Sequence, residues 1–159
     1  AEAGLPWQLL AHAPHAGLQR LVRDLNLVLR HHPALYRLDH DSAGFQWLRH
    51  DDAAHSVLAC ERRAAPGATD GQRVVVIAHF TPDVAHGYRL GLPPLPAGQR
   101  WTLLINTDDV VYGGSGVSPG PLVVEDVPSD GWPTSVRLTL PPLATVMLVP
   151  GEAGQGAPG

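Results

Sequence analysis

Residues 100–116, RWTLLINTDDVVYGGSG, carry an alternating apolar strand straight into a polar, glycine-rich turn, and the rest of the chain has to be arranged around that join. Trp101, Leu103 and Ile105 fall on one face of a period-two strand, with Thr102, Leu104 and Asn106 on the other, so at least one face is expected to be buried. After Asn106 the alternation stops. Gly113, Gly114 and Gly116 allow positive φ, while Asp108, Asp109 and Ser115 can hydrogen-bond nearby main chain.

Similar alternation recurs on both sides of this segment. Strands are expected at Val57–Arg62, Val74–Phe80 and Tyr88–Leu92, then at Ser135–Leu140 and Ala144–Val149, separated by Pro- and Gly-rich punctuation. Val74–Phe80 is apolar on both faces apart from His79 and should be central, whereas Arg137 and Thr139 should face solvent or a polar neighbour. Between Val117 and Thr134 the pattern gives a long loop with a short extended piece at Leu122–Val124. Six strands at this spacing, counting the central one, suggest a mainly β, antiparallel sandwich. The tail from Gly151, GEAGQGAPG, has nothing to bury and is expected to be disordered.

The N-terminal part reads differently. Residues 1–17 form an irregular lead-in, and from Leu18 to His32 the period becomes helical. Leu18, Leu21, Val22, Leu25 and Leu29 make one stripe, with Gln19, Arg20, Arg23, Asn26 and Arg30 mostly opposite and Leu27 interrupting the polar face. Arg30, His31 and His32 suit the negative end of the helix dipole, and Pro33 stops it. Each stripe side chain is worth about 1.5–3 kcal/mol if buried, so the stripe as a whole is comparable with the roughly 5–15 kcal/mol stability of a domain and must pack on something. Either the helix covers a face of the sandwich or its partner lies outside this chain, and the pattern alone favours the former. Pro33–Asp52, with Leu35, Tyr36, Leu38, Phe45, Trp47 and Leu48, reads as a connection wrapped against the fold.

A formal charge of -4 offers no broad basic surface for nucleic acid or anionic membrane. All eleven basic residues are scattered arginines. No apolar run is long enough to span a bilayer, and a single cysteine, Cys60, excludes an intrachain disulfide and fits a reducing, cytoplasmic setting. Cys60 itself should behave as a small buried hydrophobe.

The chemical motifs are weak when read one at a time. The acid pairs Asp39/Asp41, Asp51/Asp52 and Asp108/Asp109 could supply a glycosidase pair, but acids close together in loops are usually turn formers. His12 with His15 and His31 with His32 lack a metal-binding signature. Ser115 in G-G-S-G is not a nucleophile elbow. Trp7, Trp47, Trp101 and Trp132 could stack on sugar rings or pack in a core; Trp101 is in phase with a buried face, and Trp47 is the better sugar candidate.

Six pieces in order, QRLVRDLN (19–26), HHPALYRLD (31–39), GFQWL (44–48), INTD (105–108), YGGS (112–115) and LTLPPLAT (138–145), together resemble the C-terminal end of bacterial 1,4-α-glucan (glycogen) branching enzymes of the α-amylase family. LPWQLL (5–10) is similar to the segment before the last helix of that family's barrel. His79 departs from the family's frequent Asn, and the 117–134 loop has no firm match.

The resemblance implies that residues 1–44 close a (β/α)8 catalytic barrel and that 45–150 form the α-amylase-type C-terminal all-β domain; 151–159, the tail, have no firm match to the family. It also implies the activity of the whole enzyme: cutting an α-1,4-glucan, holding it on an aspartate and passing it to a glucose 6-hydroxyl, which makes α-1,6 branches. The family's three catalytic carboxylates lie upstream of the matched segment, so no catalytic residue, metal or cofactor is assigned here. Implied partners are α-glucan chains and the missing barrel. Trp47 matches an aromatic implicated in a surface glucan site. The alternative is a free-standing glucan-binding or buttressing β-module.

Overall fold

The alternating stretches pair antiparallel throughout and close into two sheets facing one another across a shared apolar core. The computed structural model describes residues 7–66 and 72–152; residues 1–6, 67–71 and 153–159, the last of which hold most of the stretch expected to be disordered, lie outside the described residues. Among the described residues one α-helix, α1 (Ala13–His31), precedes eight strands: β1 (Phe45–Asp52), β2 (Val57–Arg63), β3 (Arg73–His79), β4 (Ala85–Leu92), β5 (Gln99–Asn106), β6 (Val124–Glu125), β7 (Thr134–Leu140) and β8 (Thr145–Glu152).

The larger sheet has the order β1-β2-β3-β8-β5 and the smaller one β4-β7-β6. β3 is interior, as its two apolar faces require, and β8 returns from the far end of the chain to insert between β3 and β5. Val57, Ala59, Val75, Ile77, Trp101, Val146 and Leu148 of the larger sheet meet Leu90, Leu92, Val136, Leu138 and Leu140 of the smaller one. Arg137 is exposed on the outer side of β7, as its alternation demands.

At one end of the sandwich the Arg73 guanidinium lies 5.5 Å from the centre of the Trp101 ring. Its Nε donates to Glu61 Oε1 at 2.5 Å, so this buried carboxylate is charge-paired rather than stranded.

The strands and the helix both depart from expectation. Residues 45–52, read as part of a connection, form an edge strand, which with the short β6 raises the count from six to eight. β1 escapes pattern reading because Leu48 alone is fully buried and two register shifts, between Trp47 and Arg49 and between Arg49 and Asp52, break its alternation. The short piece expected at Leu122–Val124 forms at Val124–Glu125, and β8 runs on through Gly151 and Glu152 into the expected tail.

The helix starts at Ala13 rather than Leu18, because Pro14 sits in its first turn, where a missing N–H costs nothing. It does not cover a sheet face. Instead α1 packs on three short 3-10 turns, Trp7–Ala11, Pro33–Leu35 and Val110–Tyr112. Leu18, Val22 and Leu29 stay 58%, 51% and 44% exposed. The outer face of the larger sheet is covered at one place by Ala34 and Leu35, which pack with Ala64, Val74 and Val76. No helix among the described residues is long and apolar enough to cross a membrane.

Core and stripe leucines should therefore respond differently to truncation. Leu148→Ala is expected to cost about 2–5 kcal/mol in urea unfolding, whereas Leu18→Ala should stay within about 0.5 kcal/mol of the parent chain. Equal losses would mean that the stripe is covered.

Candidate functional site

The edge strand β1 carries a row of outward rings. Trp47 is 48% exposed, whereas Trp101, the other strand tryptophan, is 2% exposed and belongs to the core. Phe45 stands edge-on to Trp47, with ring centres 4.9 Å apart, and His50 lies 6.0 Å beyond it on the other side. Simple alternation would put Arg49 next in the row. The register shift after Trp47 substitutes His50, and Arg49 turns under the strand instead.

Arg49 has a built place beneath the row. Its guanidinium pairs with Asp130 Oδ1 at 2.5 Å and lies 5.7 Å from the centre of the Tyr88 ring. Tyr88 donates its hydroxyl to Asp52 Oδ2 at 2.8 Å, and His55 contacts the same carboxylate through Nδ1 at 3.0 Å. Burial, then the Asp52 hydrogen bond, push the Tyr88 hydroxyl well above the usual phenol range. Burial of Asp52 works against its ionisation, but the hydrogen bonds from Tyr88 and His55 win and hold it below the ordinary carboxylate value. Arg49, Asp52, Tyr88 and Asp130 thus form one polar network beneath the edge strand, where its register shifts.

The join at 106–117 is the second organised region. The Asp108 carboxylate accepts from the Ser115 N–H at 2.8 Å, the Ser115 hydroxyl at 2.6 Å and the Val117 N–H at 2.9 Å. Asn106 accepts from the Asp108 N–H and donates to the Val117 carbonyl. Burial would raise the Asp108 pKa, but these donors outweigh it and keep the carboxyl below the ordinary value. Gly113 and Gly116 take positive φ, 89° and 78°, as expected of them. Gly114 is required for a different reason: a Cβ there would sit 2.1 Å from the Asp108 carbonyl oxygen.

The remaining sequence candidates disperse. Asp41 and Asp109 accept from Ala43 N–H and Val111 N–H in short turns and Asp39 pairs with Arg62, so these three are turn and surface groups, while Asp52 and Asp108 belong to the two separate networks above. Ser115 spends its hydroxyl on Asp108. His12, His15 and His31 are exposed along the helix, and among the described residues no three His, Cys, Asp or Glu side chains are grouped to hold a metal ion. Trp132 packs against the core and Trp7 is exposed near the helix start. Cys60, expected to be buried, is only half-buried, because its side of β2 looks outward beside Trp47; burial still raises its thiol pKa. Sequence reading missed Phe45 and His50. The spacing F-x-W was a usable signal for the first, and nothing in the sequence announces the bulge that brings in the second.

Residues 47–151, which make up most of this β-sandwich, match the family of the alpha amylase C-terminal all-beta domain. The chain is a member of that family. Within it, the chain is similar to the C-terminal region of 1,4-alpha-glucan branching enzymes GlgB. It is 48% identical to that of Cupriavidus necator over 159 residues, covering 98% of this chain and 20% of that protein. The figures are 49% over 152 residues for Burkholderia vietnamiensis, covering 94% and 20%, and 47% over 146 residues for Rubrobacter xylanophilus, covering 92% and 19%. The chain thus spans about a fifth of the length of these curated relatives.

The Asp108 loop has a pH signature. A carboxyl with a folded-state pKa below its unfolded value of about 3.9 contributes stability that is complete above that value and is lost as the pH falls through the folded one. Asp108→Asn should cost about 1–3 kcal/mol at pH 7, and the gap to the parent chain should narrow below about pH 4 in urea titrations. A gap that stays constant with pH would rule out the ionised carboxylate as its source.

Proposed function

We propose that this chain is the closing portion of a cytoplasmic 1,4-α-glucan branching enzyme, with residues 1–44 ending a (β/α)8 catalytic barrel and 45–150 forming its all-β domain. The observation that carries the reading is the exposed stripe Leu18, Val22 and Leu29: the sandwich completes its own core without these side chains, so they are available to an apolar body such as the inner layer of a barrel. The identity to branching enzymes over nearly the whole chain supports the same reading.

In this arrangement the bond-making carboxylates sit on the barrel, and no catalytic role falls to Asp108, Asp52 or any other group described above. The all-β domain contributes substrate affinity. Trp47, flanked by Phe45 and His50, offers flat apolar ring surface on an exposed strand edge, which suits the C–H faces of glucose units in an α-glucan.

The reading is tested by exchanging the matching segment of the Cupriavidus necator enzyme for this chain. The chimaera should form α-1,6 linkages from amylose, whereas the 159-residue chain alone should form none; branching by the isolated chain would overturn the assignment of catalysis to the barrel. Trp47→Ala in the chimaera should weaken retardation in glycogen-containing native gels by about three- to tenfold in apparent affinity. Unchanged retardation would remove the glucan role of β1 while leaving the barrel reading intact.

A further inference from the structure

Helix α1 has two chemically different faces. At about 100° per residue, Leu18, Val22, Leu25 and Leu29 occupy one arc of the helix, and Gly17, Arg20 and Asp24 occupy another, centred about 140° away. The second arc meets the 106–117 loop. Tyr112 donates its hydroxyl to Asp24 Oδ2 at 3.1 Å, and Arg20 reaches the Val111 carbonyl at 3.4 Å. Gly17 is the only buried residue of the helix, and a Cβ on it would lie 2.5 Å from the Tyr112 carbonyl oxygen. The loop is held from the other side by the Asp108 carboxylate, and the helix leads into Ala34, which is buried against Ala64 and Val74. The helix is therefore fixed to the sandwich through Gly17, Arg20 and Asp24 and at its C-terminal end by close fit and polar contacts, while Leu18, Val22 and Leu29 of its stripe stay exposed.

We propose that Tyr112 is a positioning residue: through Asp24 and Gly17 it sets the angle between helix α1 and the sandwich, and so where the Phe45–Trp47–His50 row stands relative to the catalytic body on the helix's other face. This rests on the branching-enzyme reading. The physical consequence is one of effective concentration. A glucan chain held on β1 reaches the catalytic body more often when the joint between them is rigid than when it swings.

Two measurements test it. In the 159-residue chain, Tyr112→Phe should speed amide hydrogen exchange in α1 between Gly17 and Val28 by about tenfold, with β3 and β8 unchanged. Gly17→Ala, which pushes the same contact apart from the helix side, should do likewise. In the chimaera, Tyr112→Phe should raise KM for amylose about three- to tenfold with little change in kcat, and Trp47→Ala should do the same. The double variant should be no worse than Trp47→Ala alone, because the joint acts through the row it orients. A general loss of stability would instead add to the Trp47 effect. Additive KM changes, or unaltered exchange in α1, would overturn the positioning role while the parent chimaera remains active. An inactive parent chimaera would overturn the branching-enzyme reading and this proposal with it.

Discussion

One carboxylate holds the most irregular part of the molecule in a single shape. Asp108 accepts three hydrogen bonds from Ser115 and Val117, and Asn106 spans the same loop from the end of β5. A buried carboxylate would be costly without those donors, and the loop's N–H groups would be stranded without the carboxylate. Each therefore requires the other. The short turn Val110–Tyr112 inside the loop is presented at a fixed place as a result, and that turn is what the helix rests on.

The two faces of the helix are built for packing that follows different rules. Against the sandwich it uses a glycine, an arginine and an aspartate, a combination that demands one geometry and tolerates little sliding. On its other side it has only branched apolar side chains, which gain energy from burial with much less demand on direction. This division fits the proposed place of the helix between a self-sufficient β-domain and a second body. The sandwich core, with Trp101 and Leu148 sealed inside, needs no help from the helix.

The row of rings on β1 depends on a backbone irregularity. Arg49 is drawn under the strand by Asp130 and Tyr88, and the register shift that accommodates it turns His50 out beside Trp47. Edge strands commonly carry such bulges, which also discourage pairing with another chain. Here the bulge leaves an aromatic surface in place of a flat, pairing-ready edge.

Much of this could be read from residue order. Period-two alternation located the core strands, because alternate side chains must point to opposite faces whatever the fold, and Val136, Leu138 and Leu140 are buried while Arg137 is not. The clustering of Asn106, Asp108, Ser115 and three glycines announced a specially built loop, since those residues bond or relax the main chain locally. The order of short motifs pointed to the family. Only the tertiary structure decided which face of α1 meets the sandwich, that Gly114 is needed for space rather than for positive φ, and that β1 is a strand at all. Those outcomes depend on partners distant in sequence: Tyr112 reaching Asp24, Asp130 reaching Arg49, and β2 lying alongside Trp47. Periodicity records which side of an element is apolar, and it carries no information about which distant polar group will claim the other side.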